Sequence, residues 1–288
     1  MKPVLEHLPL DPEESFVVKA FDYSYYPTPW HFHPEYEIVL VTESTGKRFI
    51  GDSITDFKAG DLAFIGPNLP HLYRNDVDYY SKETSSLRAK SIVVHFLEQS
   101  FGRDFLSIPE MKALNYLFSK SLRGLEVTGR THETVSKKLY ELCELSGLHR
   151  WLKLLEILQL LSESNELTTI SKTQVVGKNE MESERMNKVF EFVMKNFQRE
   201  ITITEIANEV NLAENSFSRY FSQRTRKPFI TFVNEVRLSH ATKLLQENKL
   251  SISEICFASG YNNLSNFNRQ FKSVYKVNPL SYAQQFHK

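Results

Sequence analysis

Two copies of one short pattern constrain this chain more than any other feature. Thr202–Ala207 reads TITEIA and Ser251–Cys256 reads SISEIC, a displacement of 49 residues. Both open on S/T-x-x-E, where the hydroxyl accepts from the amide three residues on and the glutamate accepts from the cap amide, so each marks a helix start. Further along, Phe217-x-Arg219-x-Phe221 matches Phe267-x-Arg269-x-Phe271, now displaced by 50. The extra residue is expected in the intervening turn, at Asn211-Leu212 in one copy and Gly260-Tyr261 in the other. Residues i and i+4 share a helix face, so each phenylalanine pair points inward and the arginine between them points out. A capped helix, a tight turn and a helix with an outward arginine make a helix-turn-helix, and the chain predicts two. Between them Pro228 opens PFITFVNEVRLSHATKLLQ. There Phe229, Phe232, Val233, Val236, Ala241, Leu244 and Leu245 give an apolar stripe suited to a rigid spacer helix.

Charge separates this region from the rest. The 288 residues carry 35 basic and 35 acidic side chains, net zero. Residues 184–288 hold 15 Lys and Arg against 9 Glu and no Asp, a net of +6, which leaves −6 on the remainder. A basic C-terminal part and an acidic N-terminal part suggest two domains with different partners, the basic one suited to nucleic acid. With 41% hydrophobic and 24% charged residues the composition is that of a globular protein. Neither a signal-like N-terminus nor an apolar run of membrane-spanning length is present, and Cys143 and Cys256 form no CxxC pair. A cytoplasmic protein with reduced thiols and no membrane association is expected.

Residues 15–96 read as short strands (EYEIVLV, KRFIGD, DLAFIG, KSIVVHF) punctuated by Gly and Pro-Asn, which suggests a sandwich or barrel. From Pro109 three helical runs follow, separated by Gly124, Gly129 and Gly147. In the third, Leu148, Leu152, Leu155, Leu158 and Leu161 form a stripe that suits either the domain core or a dimer contact. The polar segment 163–182 reads as a linker. The expected organisation is therefore multidomain α+β: residues 1–162 as a β-barrel with flanking helices, 163–182 as linker, and 183–288 as an all-α DNA-binding domain.

The segments TITEIANEV, FSRYF, RLSHATKLL, SISEICFASGY, SNFNRQFK and VNPLSY together resemble the DNA-binding domain of AraC/XylS-type transcription regulators. The resemblance implies that the second helix of each unit enters the major groove of double-stranded DNA, in two successive grooves. Asn215, Ser218 and Arg219 would read bases from the first unit, and Leu264, Ser265, Asn266, Asn268 and Arg269 from the second. Their chemistry suits this: Arg bridges guanine O6 and N7, Asn pairs with adenine, and Leu meets a thymine methyl. Arg224, Lys227, Lys272 and Lys276 would contact phosphates, which position without specifying. The chain departs from the pattern at Arg226 and Lys276, where the family usually has glycine, and at Ala213, where it often has a serine cap.

WHFHPEYEI sets His31 and His33 six and four residues before Glu37, and GDLAFIGPNLPHLYRN follows with Gly60, Pro67 and His71. On a strand, His31, His33 and Glu37 would share a side. These segments resemble the two cupin motifs, and cupin-like barrels are the effector domains of many AraC-type regulators. The resemblance implies a pocket in which His31, His33, Glu37 and His71 converge, a set fitted to a divalent transition metal. With Trp30 they would equally line a metal-free pocket for a small polar effector, a sugar among the candidates. The reading that follows is a non-enzymatic regulator, a homodimer that senses a small molecule and has RNA polymerase as a further partner. Its alternatives are a metal-dependent cupin enzyme fused to a DNA-binding module and a constitutive DNA binder whose barrel only dimerises.

Overall fold

A computed structural model describes residues 14–80, 86–176, 180–225 and 227–284. The chain forms two compact units, Met1–Ser183 and Glu184–Lys288.

The first unit contains two antiparallel sheets. Strands β1 (Val17–Tyr23), β2 (Tyr36–Glu43), β5 (Leu62–Ile65), β7 (Ala89–Phe96), β8 (Leu125–Val127) and β9 (Leu167–Thr169) form a six-stranded sheet in the order β1-β7-β2-β5-β8-β9. Strands β3 (Gly46–Ile50), β4 (Ser53–Phe57) and β6 (His71–Asn75) form a three-stranded sheet in the order β4-β3-β6. Successive residues of a strand face opposite sides, and in β2 both sides are buried. Tyr36, Ile38 and Leu40 pack with Leu62, Phe64, Ile92, Val94 and Phe96 against helices α1 (Lys112–Ser121), α2 (Gly129–Glu144) and α3 (Gly147–Glu163). Val39 belongs to a second cluster with Ala63, Ile65 and Val93, joined by Ile50 and Leu69. A strand covered on both faces reads as an unbroken apolar run, which is why EYEIVLV shows no alternation.

The segment read as a linker carries structure of its own. Residues 167–169 form β9 at the edge of the large sheet, with Leu167 paired to Val127. Beyond it Asp52 accepts from the Ser171 hydroxyl and the Lys172 amide, both at 2.8 Å, and from the Thr173 hydroxyl at 3.0 Å. Val175 is buried in the Ile50 and Leu69 cluster. Polar composition does not reveal this because an edge strand needs one covered face only, and because the Ser171 and Thr173 hydroxyls and the Lys172 amide are held by a carboxylate 119 to 121 residues away.

The second unit is helical: α4 (Glu180–Asn196), α5 (Ile203–Glu209), α6 (Glu214–Thr225), α7 (Phe229–Glu247), α8 (Ile252–Ala258), α9 (Leu264–Tyr275) and α10 (Pro279–Ala283). Both capping boxes form. The Thr202 hydroxyl accepts from the Glu205 amide at 3.1 Å while the Glu205 carboxylate accepts from the Thr202 amide at 2.9 Å. Ser251 and Glu254 repeat this at 3.3 and 2.8 Å. The spacer is one helix, α7, and it serves two cores. Its first half sets Phe229 and Phe232 against Phe217, Phe221 and Phe190. Its second half buries Leu238, Ala241 and Leu245 with Ile255, Tyr261, Phe267 and Phe271.

The two turns refine the repeat. Asn211 and Gly260 both take the left-handed conformation, at φ 54° and 81°, and the next amides, of Leu212 and Tyr261, bond back to Ala207 and Cys256. The displacement is still 49 there, so the extra residue lies beyond the turn. Asn263 caps α9, whereas the Phe217 amide bonds back to the Ala213 carbonyl at the start of α6. Asn262 is therefore the inserted residue. Lys276, which replaces the family's glycine, adopts the left-handed C-cap itself at φ 66°; Arg226 lies outside the described residues.

Candidate nucleic-acid interface and ligand pocket

Each phenylalanine pair orients its helix. Phe217 and Phe221, like Phe267 and Phe271, are fully buried, which turns Arg219 and Arg269 to solvent on the opposite side. Asn215 is exposed beside Arg219 and Ser218 is half-buried. On α9, Leu264, Ser265 and Asn266 are exposed with Arg269, and Asn268 is half-buried. The Arg269 guanidinium donates to the Asn266 side-chain carbonyl at 3.0 Å, and the Asn266 amide donates to the capping Asn263 at 3.0 Å. Arginine and asparagine thus present a joined polar edge at the start of α9.

The cations expected on phosphates differ in state. Lys272 and Lys276 are exposed, the latter with its ammonium on the Ser273 carbonyl at 2.8 Å. Arg224 lies over the Tyr220 ring, 4.8 Å from its centroid. Lys227 is bound to Glu235 at 2.6 Å, with both side chains largely shielded. A phosphate at Lys227 would compete with that carboxylate.

The pocket lies between the two sheets of the first unit. Phe21 and Tyr23 from β1, Glu37, Val39 and Val41 from β2, and Ser91, Val93 and His95 from β7 all line it, each set two residues apart on one strand face. Tyr26, Pro27, Thr28, His31, His71 and Tyr73 complete its lining. Burial pushes the Tyr26 and Tyr73 hydroxyls well above their ordinary range, so both remain neutral.

At its polar end the histidines converge, though not on one strand. His31 sits on an isolated bridge to His71, their backbones exchanging bonds of 3.1 and 2.9 Å. His33 lies in the loop before β2, where its carbonyl accepts from the amide of Asn68 at 2.7 Å. Asn68 is left-handed, so the Pro-Asn turn fastens the second motif to the first. Ligand atoms of His31, His33, Glu37 and His71 lie within 4.8 Å of one another, all four side chains buried. Nδ1 of His31, His33 and His71 faces the carbonyls of Pro29, Glu35 and Leu69 at 2.8, 3.2 and 2.8 Å. A carbonyl only accepts, so these bonds fix the proton on Nδ1 and leave Nε2 inward. His71 Nε2 is buried without a hydrogen-bond partner, 3.6 Å from Glu37. Burial drives the His31 pKa well below its ordinary value, with the neighbouring imidazoles adding to the shift. Burial alone would raise Glu37, but the imidazoles around it outweigh that and hold it well below the usual carboxylate range.

His95 was not legible in the motif. Its Nε2 donates to Glu37 at 2.6 Å, because β7 pairs with β2 so that His95 stands opposite Glu37. The signal in the sequence is the alternation Ser91, Val93, His95 within KSIVVHF. Trp30 is buried at 3% exposure but is not among the residues lining the cavity.

The comparisons with known proteins agree with this division. The AraC-like ligand binding domain matches residues 15–161, and a helix-turn-helix domain matches residues 206–285. The HTH-type transcriptional regulator YdeC of Bacillus subtilis is 23% identical over 267 residues, covering 89% of this chain and 86% of its own. The HTH-type transcriptional activator RhaR of Mannheimia succiniciproducens is 22% identical over 261 residues, covering 90% and 88%. Among solved structures, ToxT of Vibrio cholerae aligns over 94% of this chain and 98% of its own, at 16% identity and a TM-score of 0.38. No helix among the described residues is long and apolar enough to cross a membrane.

Proposed function

The chain belongs to the AraC family of transcription regulators, with a ligand-binding domain ahead of a DNA-binding helix-turn-helix domain, and from that premise we propose that α6 and α9 read two successive major grooves. The observation that carries this is the pair of outward arginines, each fixed by a fully buried phenylalanine pair. Asn215, Ser218 and Arg219 read one box and Leu264, Ser265, Asn266, Asn268 and Arg269 the other, with Arg224, Lys272 and Lys276 on phosphates. Footprinting on DNA selected from a random pool tests it. Two protected boxes one helical turn apart are expected, and a single box would refute the reading.

The effector is a small uncharged molecule rich in hydroxyl groups, of which a sugar is one case. The neutral His31 ring offers an Nε2 lone pair beside the Glu37 carboxylate, so this end accepts hydrogen bonds and repels anions. Phe21, Tyr23, Tyr26 and Tyr73 supply apolar faces for the ligand body. In a thermal-shift screen of the full chain, neutral polyols should raise Tm, while sugar phosphates and sugar acids leave it unchanged. Stabilisation by the anions alone would overturn the assignment. The orphaned His71 Nε2 and the backbone-anchored imidazoles also fit a divalent metal held by His31, His33, Glu37 and His71. Such an ion would supply a Lewis-acidic contact for a ligand oxygen. Metal analysis of tag-free protein decides, and less than about a tenth of an equivalent rejects it. Neither form requires turnover.

The leucine stripe divides between two roles. Leu158 and Leu161 are buried in the core, whereas Leu148 and Leu152 are 68% and 51% exposed on the same helix. These two exposed leucines, one helical turn apart, offer a face for a second copy of the chain. Light scattering should find a dimer at micromolar concentration, and Leu148→Glu with Leu152→Glu should give monomers.

A further inference from the structure

The two reading helices can occupy two grooves together only if the angle between them is fixed, and α7 alone does not fix it. A 19-residue helix sets the distance between its ends, and each helix-turn-helix unit packs its core on one half of it. One side chain near the middle of α7 adds a direct tie between the two units. Arg237 sends Nε to the Phe197 carbonyl at 2.8 Å and a terminal nitrogen to the Arg199 carbonyl at 2.7 Å. Both acceptors lie in the turn that follows α4, shortly before Thr202, which caps the first helix of the first unit. The same guanidinium lies 5.7 Å from the centre of the Tyr261 ring, in the turn of the second unit.

The chain around this contact is fitted to it. A Cβ on Gly260 would stand 2.3 Å from the Phe197 oxygen and 3.0 Å from Arg237 Nε, so only glycine lets the second turn approach. Gln198 donates across the same gap to the Ala258 carbonyl at 3.1 Å. Burial lowers the Arg237 pKa, and Tyr261 and Glu200 act in the opposite direction. Two backbone carbonyls side by side are matched by the flat fork of arginine and not by the point charge of lysine.

We propose that Arg237 is the positioning residue that locks the second helix-turn-helix unit against the entry to the first, and so sets the register between the two boxes on DNA. The inference rests on the two-groove reading above, and the test separates the two.

Full-length protein would be titrated with a selected two-box duplex, with either box scrambled, and with one base pair inserted between the boxes. Each inserted pair turns the second box by about 34° around the duplex. The wild type should lose affinity on scrambling either box and on the insertion. Arg237→Met, which keeps the aliphatic stem, should lower affinity for the two-box duplex about tenfold, and Arg237→Lys, which retains one donor, about threefold. Both variants should bind a single intact box within about twofold of wild type and should no longer distinguish the inserted spacing. If both variants keep the wild-type spacing penalty, Arg237 does not set the register. A parallel fall in single-box and two-box binding would make it a general fold residue and overturn the proposal as well. If scrambling one box leaves wild-type binding intact, the two-groove reading fails first.

Discussion

In the first helix-turn-helix unit α6 starts behind Ala213, which has no side-chain acceptor to offer. In the second, α9 starts behind Asn263, whose oxygen takes the Asn266 amide. Asn266 in turn accepts from Arg269, so the cap, the third residue of α9 and the arginine form one chain of bonds. The first core is made of phenylalanines shared with α4 and α7. The second brings in Tyr261, Tyr275 and Tyr282. The second unit is thus prepared for base reading before DNA arrives, which limits the ordering cost on binding. The first has a plainer helix start and is the more open to improvement.

The largest test strikes the cores. Phe221→Ala and Phe271→Ala should each cost about 3–5 kcal/mol in chemical denaturation of the full chain, since both side chains are fully buried. Each should erase the footprint of its own box first. Simultaneous loss of both boxes from either change would show that the two cores act as one.

Next come the arginines. Arg269→Ala should weaken binding by about 1–3 kcal/mol and relax preference at one base of its box, and Arg219→Ala should do the same in the other box. Asn266→Ala should blur the box read by Arg269 while leaving the other sharp. Binding-site selection with each variant checks this, and equal blurring of both boxes would remove the distinction between the units.

The caps give a smaller effect of opposite sign. Ala213→Asn should stabilise the chain by about 1 kcal/mol, and Asn263→Ala should destabilise it by about as much. Thermal melts suffice. If Ala213→Asn gains nothing, the first helix start is already satisfied in another way.

The smallest effect is shared by the two units. Hydrogen bonds from the capped backbone hold Glu205 and Glu254 below the ordinary carboxylate range. A depressed folded-state pKa contributes stability above the unfolded value of about 4.3, lost as pH falls through the folded one. Tm should therefore decline between about pH 5 and pH 3, and Glu205→Gln with Glu254→Gln should flatten that part of the curve. An unchanged slope would mean that other carboxylates govern acid stability.

The second unit was legible in the sequence because its signals are local. Caps, phenylalanine spacing and the turn residues lie within a few positions of one another, and helices form from such contacts. The pocket was half legible. His31, His33, Glu37 and His71 stand in recognisable strings, but His95 reaches Glu37 through strand pairing 58 residues away, which no local spacing reveals. Neither Trp30 nor His33 lines the cavity, because proximity to His31 along the chain says little about where a neighbouring side chain lies. The three-residue strands β8 and β9 were missed for a related reason: at that length neither alternation nor β-propensity has room to appear.

The glycine at the second turn has a consequence for how such a repeat diverges. Asn211 and Gly260 do the same backbone work, and asparagine is tolerated where φ is positive. Yet only one of these turns is pressed against another segment, where Gly260 leaves no room for a side chain. Glycine could be transplanted into the first copy, but asparagine could not be transplanted into the second. The two halves of this duplication have ceased to be interchangeable, and the exchange is barred in one direction only.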